Sequence, residues 1–364
     1  MTSGQRMHQR ALFCTVTQEP GHGGIARVSS LLWNVMRTRS PDSWQLLTAQ
    51  TPGAGRLTWF DKVRFSFTVI WRQLNGSCDV LFFDHLGLAR VQRIVPRVFR
   101  RPYGVFLHSI EAWTPLNSNR RGILRNAKLR VANSNYTARR VAAAHPETGA
   151  IEVCQLTLGL NLSTTDARGC KMPAQVLERI RLHSVLIVGR MMHAERHKGH
   201  DELIMAWPSV LQAVPDAHLV VTGGGDDADL LKALAARLNV AEHIFFTGRV
   251  SDHTLDAIYS RAAVFAMPSR AEGFGMVYLE AMAHRLPCIG SLHDAAGEII
   301  VDGETGFLVN QDEIRELASK IVCLLLDPEL RERFGRAGLA RVQDRFSLKR
   351  FEKRAAEVLE KLEA

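Results

Sequence analysis

The chain is predicted to fold as two doubly wound, Rossmann-like α/β domains facing one another across a cleft. Three observations lead there. Its 364 residues exceed the length at which a single core keeps growing. Short β-rich runs alternate with helical patterns along the chain, as βαβ units and parallel sheets require. The alternation halts at a polar stretch, NLSTTDARGCKMP (161–173), and then restarts. A hydrophobic share of 46% and a charged share of 23% suit an ordinary soluble globular protein.

In the first series the strand candidates are ALFCTVT (11–17), WQLLTAQ (44–50), CDVLFFDH (78–85), YGVFLHS (103–109), KLRVANS (128–134) and IEVCQL (151–156). The second series has SVLIVGR (184–190), AHLVVTGGG (217–225), HIFFTGR (243–249), AVFAMPS (263–269), PCIGS (287–291) and GFLV (306–309). From about Glu313 the pattern is helical to the end. These series place the domains at 1–172 and 173–346, with a last helix over 347–364.

Charge is uneven. Residues 1–180 carry 24 Lys and Arg against 10 Asp and Glu, a net +14, and the remainder nets −5. A basic half calls for an anionic partner. In RVQRIVPRVFRRP (90–102) and NRRGILRNAKLR (119–130) arginine is interleaved with aliphatic residues. That pattern fits a helix on an anionic membrane surface better than the aromatic platforms that bind nucleic acid, so no nucleic-acid partner is expected. No apolar run approaches the ~20 residues needed to span a bilayer. The N-terminal MTSGQRMHQRALFCTVTQEP lacks the long apolar core of an export signal, and a cytoplasmic protein is expected. The six cysteines form no CxxC pair, which argues against a zinc site or disulfide framework.

Ligands of doubly wound sheets sit beyond the carboxyl ends of the strands, so those junctions hold the candidate residues. Arg190 ends one strand run and Lys198 follows, a plausible clamp for a diphosphate or simply two loop charges. Asp227 and Asp229 match a D-x-D metal pattern but stand before a helical run, where a cap and first-turn charges are expected; no metal is proposed. The turn at Arg249 and Val250 ends another strand. In PSRAEGFGMVYLEAMAHRLPCIGS (268–291), a helix beginning near Phe274 puts Glu272 just before it and Glu280 almost two turns along it. Gly273 belongs to the glycine loop, and the amides of Phe274, Gly275, Met276 and Val277 at the helix start suit a phosphate. Eight residues apart, the two glutamates sit ~12 Å apart along a helix, reaching two ends of one extended ligand rather than sharing a proton. Alternatively Glu272 caps the helix and Glu280 pairs with a surface arginine. In the first half, Gly24 belongs to a glycine-rich turn, GHGG, that lacks both the G-x-G-x-x-G spacing and a Walker lysine. His108 and Glu111 follow a strand in FLHSIEAW, fit for structure, binding or proton handling.

Together these residues resemble the family 4 retaining glycosyltransferases of GT-B fold. EGFGMVYLEAMAHRLP resembles that family's E-x7-E motif, and GR…KG, VVTGGG, FFTGRVSDHTLDAIYSRAAVFAMPS and GEIIVDGETGFLV match its order. The resemblance is strong over about 184–310 and thinner before it. It implies that Arg190 and Lys198 hold the donor diphosphate with the amides around Gly275, that Glu272 touches the transferred sugar and Glu280 the ribose. Arg249 and Val250 would face the base, Gly24 the phosphates, and His108 the reacting sugar and acceptor. It further implies a UDP- or GDP-sugar donor, a glycan or lipid-linked acceptor of cell-surface polysaccharide or glycolipid synthesis, no cofactor or metal, and a last helix that returns to the first domain. The protein would then work in the cytoplasm, peripheral on the inner face of the membrane. One departure stands out: the family has glycine where this chain has Arg285, so a local rearrangement is expected over 284–287. Rival readings are a nucleotide-sugar epimerase or phosphorylase of the same architecture, and a two-domain binding protein without chemistry.

Overall fold

The computed structural model describes residues 10–18, 23–51, 53, 57–159, 180 and 183–364. Contacts divide the chain into two units, Met1–Leu156 with Leu348–Ala364, and Thr157–Ser347. The expected linker at 161–173 and boundary at 172/173 lie outside the described residues. Thr157 already belongs to the second unit, where its hydroxyl donates to the Phe346 carbonyl at 2.7 Å.

Six parallel strands form the first sheet: β1 (Ala11–Thr15), β2 (Trp44–Thr48), β3 (Val80–Phe83), β4 (Tyr103–Leu107), β5 (Leu129–Ala132) and β6 (Glu152–Val153). Their order is β2-β1-β3-β4-β5-β6. Every residue of β1, β3 and β4 is buried, the signature of a sheet covered on both faces. The covering helices are α1 (Gly24–Arg39), α2 (Trp59–Leu74), α3 (Ile110–Trp113), α4 (Ser118–Asn126) and α5 (Asn135–Ala144). Local chemistry sets where they start. Thr58 and Asp61 close a reciprocal capping box on α2, and Ser134 accepts from the Thr137 amide at the head of α5.

The second sheet contains β7 (Ser184–Val188), β8 (His218–Thr222), β9 (Ile244–Gly248), β10 (Val264–Ala266), β11 (Cys288–Ser291) and β12 (Gly306–Val309). They too are parallel, in the order β12-β11-β10-β7-β8-β9. Around them lie α6 (His200–Ala213), α7 (Ala228–Arg237), α8 (Asp252–Tyr259), α9 (Met276–Ala283), α10 (Ala296–Ile299), α11 (Ile314–Leu326) and α12 (Pro328–Arg345). Asp327 caps α12, with Pro328 at its first position. The chain runs outward from β7 in one direction and from β10 in the other. The loops after these two strands therefore open the crevice where ligands of such sheets bind. In the first unit the same reversal lies between β1 and β3.

The last helix, α13 (Leu348–Glu363), belongs to the first unit. Phe351, Ala355, Val358, Leu359 and Leu362 are buried at helical spacing on one face. Arg39 pairs with Glu360 at 3.0 Å, the Trp44 indole donates to Glu363 at 3.0 Å, and Arg354 bonds Glu152 at 2.9 Å. Buried apolar area and fixed polar partners thus secure the returning helix.

The rearrangement expected around Arg285 does not occur. Arg285 keeps the left-handed backbone, with φ at +59°. The turn is set by what surrounds it: a Cβ added to Gly335 of α12 would lie 2.1 Å from the Arg285 carbonyl oxygen, so only a glycine lets that helix approach. Of the cysteines, Cys14, Cys78, Cys154 and Cys288 are buried free thiols and Cys323 is exposed, while Cys170 lies outside the described residues.

Candidate active site

At the β7–β10 crevice three loops meet because glycines remove the atoms that would hold them apart. A Cβ on Gly223 would stand 1.9 Å from the Gly189 oxygen, and one on Gly225 would stand 1.9 Å from the Met191 oxygen. Gly199, at φ +91°, faces the Pro268 carbonyl, which a Cβ would approach to 2.7 Å. The loop after β7 is thereby pressed against both the GGG loop after β8 and the loop before α9. Arg270 reinforces the second contact: its amide donates to the His197 carbonyl at 2.7 Å, and its guanidinium reaches Glu202 at 3.1 Å and Asp312 at 2.6 Å.

This closeness joins Lys198 to Glu272, Nζ to Oε2, at 3.1 Å, with side chains 18% and 20% exposed. Burial alone would raise the Glu272 carboxyl, but the Lys198 ammonium and its hydrogen bond outweigh it and hold the group below its usual range. Lys198 is held above its own range by Glu272, against its desolvation. Both groups are charged near neutrality. Arg190 does not join them. It is 72% exposed and pairs with Glu195 at 2.5 Å.

α9 begins at Met276, two residues later than the sequence pattern suggested, with Gly275 at φ +93° as its cap residue. A Cβ there would lie 2.5 Å from the Tyr278 ring. Glu272 therefore does not cap this helix. Phe274 turns its ring into the core, edge-on to Phe346 at 5.9 Å. Glu280 accepts from the Tyr259 hydroxyl at 3.0 Å. Beyond β9 the exposed Arg249 lies against Gly224, whose Cβ would sit 3.9 Å from the Arg249 Cβ. Val250 follows it, half-buried. The D-x-D pair does not converge: Asp227 meets Arg196 at 3.1 Å, and Asp229 meets Lys232 at 2.9 Å. Asp227 stands at the cap position of α7 without the capping bond expected from its place in the sequence.

Sequence reasoning missed Asp294. Buried below the 269–272 loop, its carboxylate accepts from the Ser269 hydroxyl, from the Ala296 amide at 2.8 Å and from the Glu272 amide at 3.4 Å. Burial lifts it to about 7, against those hydrogen bonds. The available signal was an aspartate three residues past the PCIGS strand.

In the first unit, Gly23 is the cap residue of α1 at φ +84° and Gly24 its first residue. A Cβ at either would meet nothing within 4 Å. His108, buried after β4, has Nε2 2.6 Å from the Asp84 carbonyl oxygen, so that nitrogen carries the proton. Burial holds its ring below the ordinary 6.5, with Glu111 acting against. Glu111 does not touch that ring; its carboxylate accepts from the His108 amide at 2.7 Å. The Asp84 side chain takes the Thr15 hydroxyl at 2.5 Å and the Ser29 hydroxyl as well. Burial raises it, while those hydroxyls oppose. Asp84, too, was readable as an acid closing an apolar strand, and was overlooked.

Residues 182–341 match the family described as "Glycosyl transferases group 1". The GDP-mannose-dependent alpha-(1-6)-phosphatidylinositol monomannoside mannosyltransferase of Mycolicibacterium smegmatis is 33% identical over 237 residues, 62% of this chain and 60% of that protein. The phosphatidyl-myo-inositol mannosyltransferase of Mycobacterium tuberculosis is 38% identical over 165 residues, 44% and 42% of the two chains. The matches thus span about half the length of these curated relatives. Among solved structures, Anabaena HepE bound to UDP and glucose has a TM-score of 0.75 at 20% identity, covering 97% of this chain and 100% of that one. Sucrose-phosphate synthase from Thermosynechococcus elongatus has a TM-score of 0.77 at 19% identity, covering 97% and 99%. At that identity the likeness establishes the fold, GT-B.

Proposed function

We propose, from the premise that this chain belongs to the group 1 glycosyl transferases, that it moves mannose from GDP-mannose to a lipid-linked acceptor with retention of configuration. The observation that carries the reading is the Lys198–Glu272 pair, held charged in a crevice that three glycine contacts close around it. The choice of donor rests on the activity for which the mycobacterial relatives are named. A UDP-sugar is the alternative.

In this reading the anomeric carbon leaves the diphosphate oxygen, the acceptor hydroxyl takes its place, and the hydroxyl proton passes to the departing diphosphate. Negative charge grows on that diphosphate. Lys198, with the amides around Gly275 at the start of α9, stabilises that charge. Arg190, mobile enough at 72% exposure to exchange Glu195 for a phosphate, supplies a second cation. Glu272 addresses the sugar, Glu280 the ribose, Arg249 and Val250 the base. Gly24 leaves backbone room beside the phosphates. His108, neutral and dry, offers its ring to the sugar and acceptor rather than a standing charge. No metal is invoked, because the two aspartates of the D-x-D pattern are already tied to Arg196 and Lys232.

The acceptor reading is supported by the first unit's surface. Trp59, Phe60, Phe67 and Trp71 of α2 are each more than half exposed, as are Ile94 and Val98. Within a half carrying net +14, such a face suits an anionic bilayer. The segment 119–130 does not share this role, since Ile123 and Leu124 of α4 point into the core. Among the described residues no helix is long and apolar enough to cross a membrane.

The test is thermal unfolding with GDP, UDP, ADP and NAD in turn, followed by a transfer assay with the best nucleotide's sugar and EDTA present. A shift with GDP alone, and transfer that survives EDTA, is the expected result. No shift with any nucleotide defeats the transferase reading and favours a binding protein for other ligands.

A further inference from the structure

The second unit has a cavity that the proposed reaction does not use. It measures about 570 Å³, within the range of small-molecule sites. Its floor is Ala262 and Ala263, just before β10, with Leu286 and Pro287, just before β11. It therefore opens at the amino ends of the two strands, whereas Lys198 and Glu272 lie beyond the carboxyl ends of β7 and β10.

Its walls are dominated by one charge. Four arginines line it, Arg261, Arg285, Arg331 and Arg336, against a single acidic lining residue, Glu332. Glu332 is committed to Arg336 at 3.3 Å. The nearby Asp256 is engaged by His284, Nε2 to Oδ1, at 2.8 Å. Arg331 is fixed in place by the Leu324 and Leu325 carbonyls at the end of α11, at 2.7 and 2.6 Å. Arg261 gives Nη1 to the Ala257 carbonyl at 3.2 Å, but its buried Nε–H has no partner among the described residues. Buried donors are nearly always satisfied, so this one is an orphan that the fold leaves in a residue lining the cavity.

Arg285 adds an independent sign. It occupies a left-handed backbone position, φ +59°, which glycine fills without strain and other residues adopt at a cost. Arg285 is an exposed residue of the cavity wall, its carbonyl and Cβ set against Gly335. An arginine at a backbone position that favours glycine, on the wall of a cavity with three other arginines, is accounted for by an anion its charge binds.

We propose that this cavity is a binding site for a multiply charged phosphoryl anion, separate from the nucleotide-sugar site. Guanidinium forks match phosphate oxygens two at a time, and four of them against one carboxylate leave net positive charge for a diphosphate or bisphosphate. The apolar floor accepts the carbon portion of a small phosphorylated compound.

The experiment is calorimetric titration of the full chain with inorganic pyrophosphate, on two double variants. Arg190→Ala with Lys198→Ala removes the cations of the β7–β10 crevice; Arg285→Gly with Arg336→Gln removes two guanidiniums of the cavity. The first variant is expected to keep one pyrophosphate site. In the second that site weakens at least about tenfold, the loss of one or more charge-assisted bonds. Glycine suits φ +59°, so the second variant should unfold no earlier than the wild type; Arg336→Gln alone, at an exposed position, is the control should it do so. Pyrophosphate binding that vanishes entirely in the first variant, or is unchanged in the second, overturns the proposal. Vesicles carrying phosphatidic acid then separate two sources of the same chemistry. Co-sedimentation lost in the cavity variant assigns a lipid headgroup, and co-sedimentation retained there assigns a soluble phosphorylated metabolite.

Discussion

The two units follow one architectural plan yet pair their polar groups differently. Each has its chain reversal beside the first strand, between β1 and β3 in one and between β7 and β10 in the other. Around the second reversal cations meet carboxylates directly, Lys198 with Glu272 at 3.1 Å, Arg190 with Glu195 at 2.5 Å and Arg270 with Glu202 at 3.1 Å, although burial pushes Asp294 and His200 toward neutrality beside them. Around the first they are buried and pushed toward neutrality, Asp84 upward and His108 downward, and joined through hydroxyls and carbonyls. The difference fits the two tasks proposed for them. A departing diphosphate needs standing positive charge, while a sugar and an acceptor hydroxyl need a dry polar surface that attracts no counter-ion.

The largest test of this contrast is Lys198→Ala. It removes a cation held against Glu272 with only 18% of its side chain exposed, so transfer from GDP-mannose is expected to fall by about 10² to 10³, or roughly 3–4 kcal/mol. The far-ultraviolet circular dichroism should be unchanged. Arg190→Ala, at a 72% exposed position, should cost less than Lys198→Ala in the same assay. Near-normal turnover by Lys198→Ala would remove the diphosphate from this end of the sheet.

The first unit is tested through Asp84. Asp84→Ala leaves the Thr15 and Ser29 hydroxyls without their acceptor, and should cost about 2–3 kcal/mol in urea unfolding. Asp84→Asn, which keeps an acceptor oxygen, should cost clearly less. If both variants are as stable as the wild type, the buried network is not what holds α1 to the strand ends.

Acid separates the units again. His200 in the second unit is buried beside Lys198, and burial followed by that neighbour lowers it from 6.5 to about 4. The unfolded chain thus takes up this proton first as pH falls. Stability is full above about pH 6.5, declines below it, and by pH 4 is lower by about 3 kcal/mol from this residue alone. Urea midpoints at pH 7 and pH 4.5 on wild type and His200→Gln measure it; the variant should lose less on acidification. Equal losses would mean that other groups, His108 among them, dominate.

The sheets were legible because parallel strands buried on both faces write themselves as unbroken apolar runs. ALFCT, VLFF and HLVVT admit few other readings. The glutamate pair was legible for a different reason: charge beside glycine in an apolar setting needs a partner. Its partner was not. Lys198 and Glu272 are 74 positions apart, and the Gly199–Pro268 contact and the Arg270 amide on the His197 carbonyl bring them together. Asp84 and Asp294 escaped because a single acid at a strand end carries no pattern, and its importance arises from hydroxyls and amides contributed by other segments. The apolar face of α2 was hidden by its ordinary helical composition, since exposure is a property of what fails to pack against it.

The smallest prediction concerns Arg285, at the end of α9 away from the proposed nucleotide crevice. The sequence signalled a misfit there and suggested that the backbone would move. Instead the packing of Gly335 against the Arg285 carbonyl holds the turn, and the side chain bears the mismatch. Replacing it should therefore relieve strain without altering the fold. Arg285→Gly removes a left-handed non-glycine residue, worth about 1–2 kcal/mol, but gives the unfolded chain more freedom, which returns part of that. A net gain of about 0.5–1 kcal/mol is expected in urea unfolding, with transfer activity unaltered in the absence of added phosphate. A loss of stability instead would show that the guanidinium is engaged in holding α9 to α12, and that the cost of the turn is met within the fold rather than by a ligand.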